Sequence, residues 1–285
     1  MSKSAQVTEI LEKIGWGKYN NITFAACGLS WLSCMLWNGN ISIAIKEAGS
    51  YWSLSHFEKG FLGTIYTLGL LFGSYFWGHF GNSKGRLRSL YYDNLGAIIS
   101  GIGYTVSYNY TMILIFSFLL GFFMGGVYVL AGALYSESSP KTKGWTLVLL
   151  AVCIAFGGVL VYFIAVVVVL SGNSDNEMWR YVGACGSFIQ ILCFCSLFFI
   201  YESPMFLVSQ NDFPGAKAVI EWILYRKIAK VNHYQGEINI GPPVNYDNIN
   251  EEDLTIEVVS SKSMKELFSP NYRKTTLLIT LVKAI

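Results

Sequence analysis

The feature that most limits how this chain can fold is a series of long, continuously apolar stretches. Each is about 20 residues or longer, the length that an α-helix needs to cross a hydrocarbon core about 30 Å thick. Barrel strands alternate in polarity, and these stretches do not. The sequence therefore predicts an all-α polytopic membrane protein with six spans: Ile22–Ile45, Gly60–Phe80, Ser89–Asn109, Thr111–Tyr135, Trp145–Leu170 and Tyr181–Tyr201.

The composition excludes several other classes of protein. Charged residues make up 13% of the chain, about half the share in a soluble domain. The 20 basic and 18 acidic residues nearly balance, so a nucleic-acid partner is not expected. The cysteines lie in apolar runs without metal-ligand spacing, and no catalytic motif occurs, so neither an enzyme nor a metal or other cofactor is expected.

The basic residues predict the orientation in the membrane, because cytoplasmic loops accumulate Lys and Arg. They cluster before the first span, in the second and fourth connections and after the sixth span, whereas the opposite side has only Lys46, Lys59 and Arg180. The amino terminus and the Glu202–Lys274 connection are therefore expected to be cytoplasmic. The resulting organisation is a segment over 1–21, a bundle over 22–201, a connection over 202–274 and the start of a seventh span over 275–285.

Amphipathic helices are predicted outside the spans. Asp212–Val231 has apolar residues at the spacing of one helix face, with Asp212 as a candidate cap, and it is expected to lie against the cytoplasmic end of the bundle. Val7–Gly17 has a similar face that would suit a membrane interface, and Met264–Arg273 is a third, shorter candidate. Between them, His233–Ser261 reads as a flexible linker.

The short connections resemble those of one transporter superfamily. Gly73–Arg88 is similar to its signature loop, Gly-x-x-x-Asp-Arg-x-Gly-Arg-Arg, and Glu137–Gly144 resembles the Glu-x-x-Pro and Arg-Gly element after span four. Glu202–Leu207 resembles the Pro-Glu-Ser-Pro-Arg-Phe-Leu element after span six. Together with Ile10–Tyr19, these segments make the chain resemble the amino-terminal half of a major facilitator superfamily transporter. The branches that it resembles are the synaptic vesicle glycoproteins, the organic cation and anion transporters and the sugar porters.

The resemblance implies a reversible latch of charged residues at the cytoplasmic helix ends, with Gly78 and Gly85 forming a tight turn. Asn82 replaces the acid of the signature, which predicts a weaker latch that keeps a hydrogen-bonding cap. The alternative is that the basic residues only set the topology. The implied latch residues are Gly78, Asn82, Gly85, Arg86, Arg88, Glu137, Lys143 and Glu202.

The resemblance also implies that a small organic solute contacts the central faces of the helices. Each candidate could instead hydrogen-bond a neighbouring helix. A hexose is disfavoured, since Ala151 or Val152 stands where sugar porters place a glutamine, whereas aromatic abundance would suit an organic ion. The candidate contacts are Asn38, Asn40, Tyr66, Tyr128 and Gln190.

Asp93 is the only Asp, Glu, Lys or Arg inside a predicted span. It lies about one and a half turns past Arg88, so we expect it to reach back to the interface, with proton carriage as the alternative. Because this half has no other acid inside a span, we expect either facilitated transport or ion coupling carried by residues of a second six-helix half. The expected partners are the solute, the lipid bilayer and a second six-helix half or second copy. A receptor that binds without transporting is the alternative function, because Asn82 and Ser117 replace charged residues of the family pattern.

Overall fold

The structure is a computed structural model that describes residues 7–8, 11–12, 14–171, 177–212, 214–216, 218–220 and 222–223. The chain divides into two compact units, residues 1–227 and 228–285, and every described residue belongs to the first. The predicted linker, the Met264–Arg273 helix and the seventh span lie outside the described residues.

Six long helices occur where the six spans are predicted, most of them extending beyond the apolar run. A 3₁₀ turn, Lys141–Lys143, precedes the fifth helix, and a short seventh helix follows the sixth. The helices are α1 Lys18–Tyr51, α2 His56–Lys84, α3 Arg86–Thr105, α4 Tyr110–Ser138, α5 Trp145–Leu170, α6 Met178–Leu197 and α7 Pro204–Ser209.

Side chains cap several of these helices. Ser55 and Glu58 form a reciprocal capping box at the start of α2, and the Asn109 side chain accepts a hydrogen bond from the Met112 backbone N–H at 2.8 Å at the start of α4. The Ser203 hydroxyl accepts one from Phe206 N–H at the start of α7. These caps satisfy donors that the first helical turn leaves unpaired, and so fix where each helix begins.

α2 and α4 form the most extensive helix pair, and glycines permit their contact. A Cβ atom on Gly69 would lie 2.9 Å from the Phe122 backbone nitrogen, and one on Gly125 would lie 2.7 Å from that of Ser74. Real Cβ atoms do not approach backbone atoms this closely, so the two helices touch backbone to backbone. Gly121 of α4 likewise lies against the backbone of Tyr66 and Leu70 on α2, as small residues do where helices pack closely.

The remaining helices surround α1, which packs against α2, α4, α5 and α6, while α3 packs between α4 and α6. Trp37 of α1, Tyr104 of α3 and Trp179 meet edge to face with ring centroids 5.4 to 5.8 Å apart. All three side chains are fully buried. Such aromatic contacts fix the angle between helices without requiring a polar pair.

Three of the helices are long and apolar enough, by length and composition, to cross a membrane: α4, α5 and α6. α1, α2 and α3 have similar lengths but carry more Gly, Ser, Asn and Tyr. Several of these residues pack against other helices, such as Gly69 and Gly73 against α4. The lower apolar content of α1–α3 therefore reflects helix-to-helix packing.

The amphipathic segments at the two ends of the first unit pack against each other. Val7, Leu11 and Ile14 form one buried cluster with Val219 and Ile223. The expectation that the 7–17 face lies in a membrane interface is corrected, because its described apolar residues Val7, Leu11 and Ile14 are covered by protein. The predicted cap is confirmed, since the Asp212 side chain accepts a hydrogen bond from Gly215 N–H at 3.0 Å. The end of the predicted 212–231 helix lies outside the described residues.

Candidate functional site

One end of the bundle, called here the latch end, brings together the α2–α3 turn, the end of α4 and the start of α7. Gly85 forms the turn with a φ of 106° and a ψ of 149°, a conformation that only glycine adopts readily. A Cβ atom there would also lie 3.1 Å from the Glu202 carboxyl carbon and 3.2 Å from Phe206. Gly85 thus lets α3 begin directly against the segment that follows α6.

The Glu202 carboxylate caps the amino terminus of α3, although it lies more than a hundred residues away in sequence. Its Oε1 accepts hydrogen bonds from Arg86 N–H at 2.9 Å, Leu87 N–H at 3.0 Å and Ser203 N–H at 3.1 Å. Its Oε2 accepts from Leu87 N–H at 3.1 Å and Arg88 N–H at 3.4 Å. An anion at this position also interacts favourably with the helix dipole.

Burial and hydrogen bonding act in opposite directions on Glu202. Burial raises the pKa of its carboxyl above the ordinary value, while the backbone N–H groups of Leu87, Ser203, Arg88 and Arg86 lower it, and burial dominates. The proton affinity of the cap is therefore higher than that of an exposed glutamate.

Arg86 connects α2, α3 and α4 through its side chain. The guanidinium donates from Nε and Nη2 to Glu137 Oε1 at 3.1 and 3.0 Å, and from Nη1 to Asn82 Oδ1. Both members of the Arg86–Glu137 pair are about one-fifth exposed. Water can therefore reach the pair and weaken its ionic contact.

Three residues of the predicted latch, Gly78, Arg88 and Lys143, do not make the contacts that the prediction gives them. Gly78 lies inside α2, seven residues before the turn, and a Cβ atom there would make only an ordinary 3.6 Å contact with Val129. Its assignment to the turn is corrected. Within the described part of the chain, the exposed side chains of Arg88 and Lys143 form no ion pair, and only the Arg88 backbone reaches Glu202.

A second feature is a partly exposed face shared by α1 and α4. Trp31 of α1 stacks on Tyr128 of α4, with ring centroids 5.4 Å apart and planes inclined by 19°. The Trp31 indole N–H donates to the Tyr128 carbonyl oxygen at 3.1 Å. Asn38 lies two helical turns along α1 from Trp31 and is also partly exposed. This face, called the aromatic face, is defined by Trp31, Asn38 and Tyr128.

Two of the five predicted solute contacts, Asn38 and Tyr128, are brought to the aromatic face. The other three are corrected, because packing between helices covers them. Gln190 is buried and donates to Asn94 Oδ1 of α3 at 2.7 Å, and Asn40 is fully buried, within 3.2 Å of a Cβ atom built on Gly183 of α6. Tyr66 is buried in the same core cluster as Trp37.

Asp93 does not reach back to the interface, so that expectation is wrong. Its side chain is fully buried against α4, with Oδ1 2.5 Å from a Cβ atom built on Gly126. The absent side chain of Gly126 makes room for it there, beside the Trp77 ring. Neither carboxyl oxygen has a hydrogen-bond partner among the described residues. A charge at this position would be unpaired, which leaves Asp93 as the candidate proton site.

Trp31 was missed by the sequence reasoning, although a signal was present. It lies seven residues before Asn38, and so on the same face of α1. Gly132 of α4 stands opposite, where a Cβ atom would lie 2.9 Å from the Trp31 ring. A tryptophan on the same helix face as a polar residue, together with a glycine on a neighbouring span, would have indicated the contact between Trp31 and α4.

A protein-family model described as "Sugar (and other) transporter" matches residues 24–285. The bovine synaptic vesicle 2-related protein is 27% identical over 96% of this chain and 46% of its own length. The organic cation/carnitine transporter 7 of Arabidopsis thaliana is 26% identical over 80% of this chain and 44% of its own. The chain thus spans about half the length of the curated relatives it matches.

Solved structures show the same fold. The Escherichia coli xylose transporter XylE in a partially occluded inward-open conformation is 20% identical, with a TM-score of 0.67, covering 75% of this chain and 57% of that one. XylE bound to 6-bromo-6-deoxy-D-glucose gives a TM-score of 0.66 and covers 51% of that chain. The six-helix bundle of the major facilitator fold, predicted from the spans and motifs, is confirmed.

Proposed function

Because the chain belongs to the sugar (and other) transporter family, we propose that it carries a small organic solute across a membrane by alternating access. In this proposal α1–α6 form the amino-terminal half of the transporter. The solute binds between this half and a second six-helix half, at the aromatic face. The latch end lies in the cytoplasm, as the distribution of basic residues predicts.

The observation that carries the proposal is the combination of the aromatic face with the latch end in one bundle. The stacked Trp31 and Tyr128 rings offer a π surface, of which Tyr128 is 38% exposed. Asn38 adds an amide without a net charge. The described interior of α1 and α4 has no charged side chain on this face. This chemistry suits an organic cation or aromatic solute, which binds by cation–π or stacking contacts.

The latch end supports the transport part of the proposal. Arg86 and Glu202 hold the ends of α2, α3 and α4 to the segment after α6 through hydrogen bonds and one partly exposed ion pair. The Arg86–Glu137 ion pair, whose two side chains are partly exposed, contributes only about 0–1 kcal/mol when it opens to water. It can therefore open during a transport cycle at small cost, whereas an apolar seam of the same size would not.

Uptake into proteoliposomes tests this function. The chain is reconstituted together with its second six-helix half, and a panel of radiolabelled organic cations, including carnitine, is offered. Trp31→Ala and Tyr128→Ala should each lower uptake about 5- to 30-fold, because a π contact of about 1–2 kcal/mol is lost. Phe188→Ala, which removes an aromatic ring that is 61% exposed on α6, serves as the control. Equal uptake by all variants would contradict the proposed site.

A receptor on the same fold is the second candidate. It is favoured by Asn82, which stands where the family signature has an acid, and by Ser117, which stands where the family has an arginine. Ser117 is fully buried, and its hydroxyl has no partner among the described residues. The receptor would be supported if the wild type binds solutes of the panel but carries none of them across the membrane.

A further inference from the structure

A groove with a volume of about 400 Å³ lies between α2 and α3 beside the latch end. Trp77, which is 6% exposed, forms its buried side, whereas Phe76 and Tyr92 are 47% and 40% exposed. The groove therefore opens to the surroundings of the bundle. Its lining residues are Phe76, Trp77, Phe80, Lys84, Arg88 and Tyr92.

The lining residues are ordered along the helices by chemistry. Phe76, Phe80 and Lys84 follow one another at four-residue steps on α2 and so share one face. Arg88 and Tyr92 are also four residues apart, on α3. Because the chain reverses direction at Gly85, both cations stand at the turn and the aromatic rings lie deeper along the helices. The groove thus has a cationic mouth and an apolar body.

The two cations are available to a ligand. Both side chains are exposed, and neither forms an ion pair or a side-chain hydrogen bond with the described residues. Two acids of this end of the bundle are engaged elsewhere, since Glu202 is bound by backbone N–H groups and Asp93 is buried against α4. An anion entering the mouth would therefore meet two positive charges without a competing carboxylate.

We propose that this groove binds one anionic phospholipid, with its phosphate between Lys84 and Arg88 and an acyl chain along Phe76, Phe80 and Tyr92. The proposal rests on the membrane-spanning arrangement given above, which places the groove at the level where headgroups meet hydrocarbon. Basic pockets between spans recognise anionic headgroups, and the rings of the apolar body give the acyl chain of the same lipid a surface to pack against. A soluble phosphate compound would use the cationic mouth alone.

Native mass spectrometry of the detergent-purified chain tests the proposal. Phosphatidylglycerol and phosphatidylcholine of equal chain length are titrated separately, and glycerol phosphate serves as the headgroup alone. The wild type should retain one phosphatidylglycerol in preference to phosphatidylcholine and should not retain glycerol phosphate. Lys84→Gln with Arg88→Gln should weaken phosphatidylglycerol binding about 25-fold, because each basic residue contributes about fivefold near an anionic headgroup.

The matched control is Lys141→Gln with Lys143→Gln. It removes the same two charges from exposed positions in the connection between α4 and α5, and it should bind phosphatidylglycerol as the wild type does. Equal weakening in both double variants would overturn the proposal, since binding would then follow net charge. Retention of glycerol phosphate alone would also overturn it, in favour of a soluble anion.

A photoreactive phosphatidylglycerol locates the lipid independently. With the probe in vesicles, labelled peptides should come from residues 76–92 and be lost in the Lys84/Arg88 double variant. A photoreactive residue placed at Tyr92 that couples to another protein segment, and not to lipid, would overturn the proposal. Neither measurement uses solute flux, so the lipid site and the transport function fail independently of each other.

Discussion

Replacing Glu202 separates two explanations of how the latch end is held. The distances favour hydrogen bonding over charge, because Oε1 alone receives the three N–H groups of Arg86, Leu87 and Ser203 within 3.1 Å. Glu202→Gln keeps a carbonyl oxygen at that position, and Glu202→Ala removes it. The isosteric variant should therefore keep most of the stability that the alanine variant loses.

The size of the stability loss depends on which backbone N–H groups lose their hydrogen-bond acceptor. Leu87 and Ser203 are buried and Arg86 is partly buried, so each of these three N–H groups left unpaired costs about 1–2 kcal/mol. Arg88 is exposed, and water can replace its long hydrogen bond. Glu202→Ala should thus lower the free energy of unfolding by about 3–6 kcal/mol, and Glu202→Gln by about 1 kcal/mol or less. For a unit of this size these losses correspond to roughly 6–24 °C and up to about 4 °C in Tm.

In a background with Cys153, Cys185 and Cys195 changed to serine, a thiol-reactive dye measures this directly, because Cys27, Cys34 and Cys193 are buried and react only on unfolding. Glu177→Ala is the control. Glu177 is 39% exposed, and its only ion pair with a described residue is a 3.9 Å contact with Arg180, so its loss should change Tm by less than about 3 °C. Equal losses for the alanine and glutamine variants would refute the hydrogen-bond explanation and favour charge. No loss for Glu202→Ala would refute the cap itself.

Four further predictions follow from named contacts. Because the pKa of Glu202 is raised from its ordinary 4.5, the folded state binds this proton more tightly than the unfolded state does. The stability that Glu202 contributes is therefore fully present below pH 4.5 and falls as the pH rises from 4.5 to the raised pKa. Thermal unfolding of Glu202→Gln should lack this dependence on pH. Gly73→Val should lower the free energy of unfolding by about 1–3 kcal/mol in the dye assay, because its side chain would meet the α4 backbone. Arg86→Gln should cost about 1–3 kcal/mol in the same assay and Arg88→Gln less than about 0.5 kcal/mol, because only the first is paired. Asp93→Asn should keep its Tm within about 4 °C while abolishing pH-driven uptake, and retained coupling would exclude Asp93 as the proton site.

The helices and the latch could be predicted for different reasons. Membrane crossing imposes a length on each apolar run, so the six helices were visible in the sequence. The role of Glu202 was visible only through resemblance to a known motif. Its true partners are backbone N–H groups on another helix, and nothing in the sequence spacing records such a contact. Among the described residues, the predicted pairing of charged side chains within the latch is present only for Arg86 and Glu137.

The solute contacts were harder to predict because these helices are apolar on nearly all sides. A soluble helix shows its buried face by a polar face opposite, and that signal is weak in a membrane bundle. Asn38 and Asn40 are two residues apart, yet the first is partly exposed and the second fully buried. Asp93 likewise turns inward because Gly126 leaves room on α4, a fit between helices that one helix cannot reveal.

The central claim is that the aromatic face lines a water-filled route for solute. Membrane-impermeant maleimides test it, because they react only with cysteines that water reaches. In a background with Cys153, Cys185 and Cys195 changed to serine, Asn38→Cys should be labelled in intact vesicles. Ile99→Cys, on a side chain that is 61% exposed on α3, should be labelled only after the membrane is dissolved in detergent. Protection of Asn38→Cys equal to that of Ile99→Cys would contradict the account.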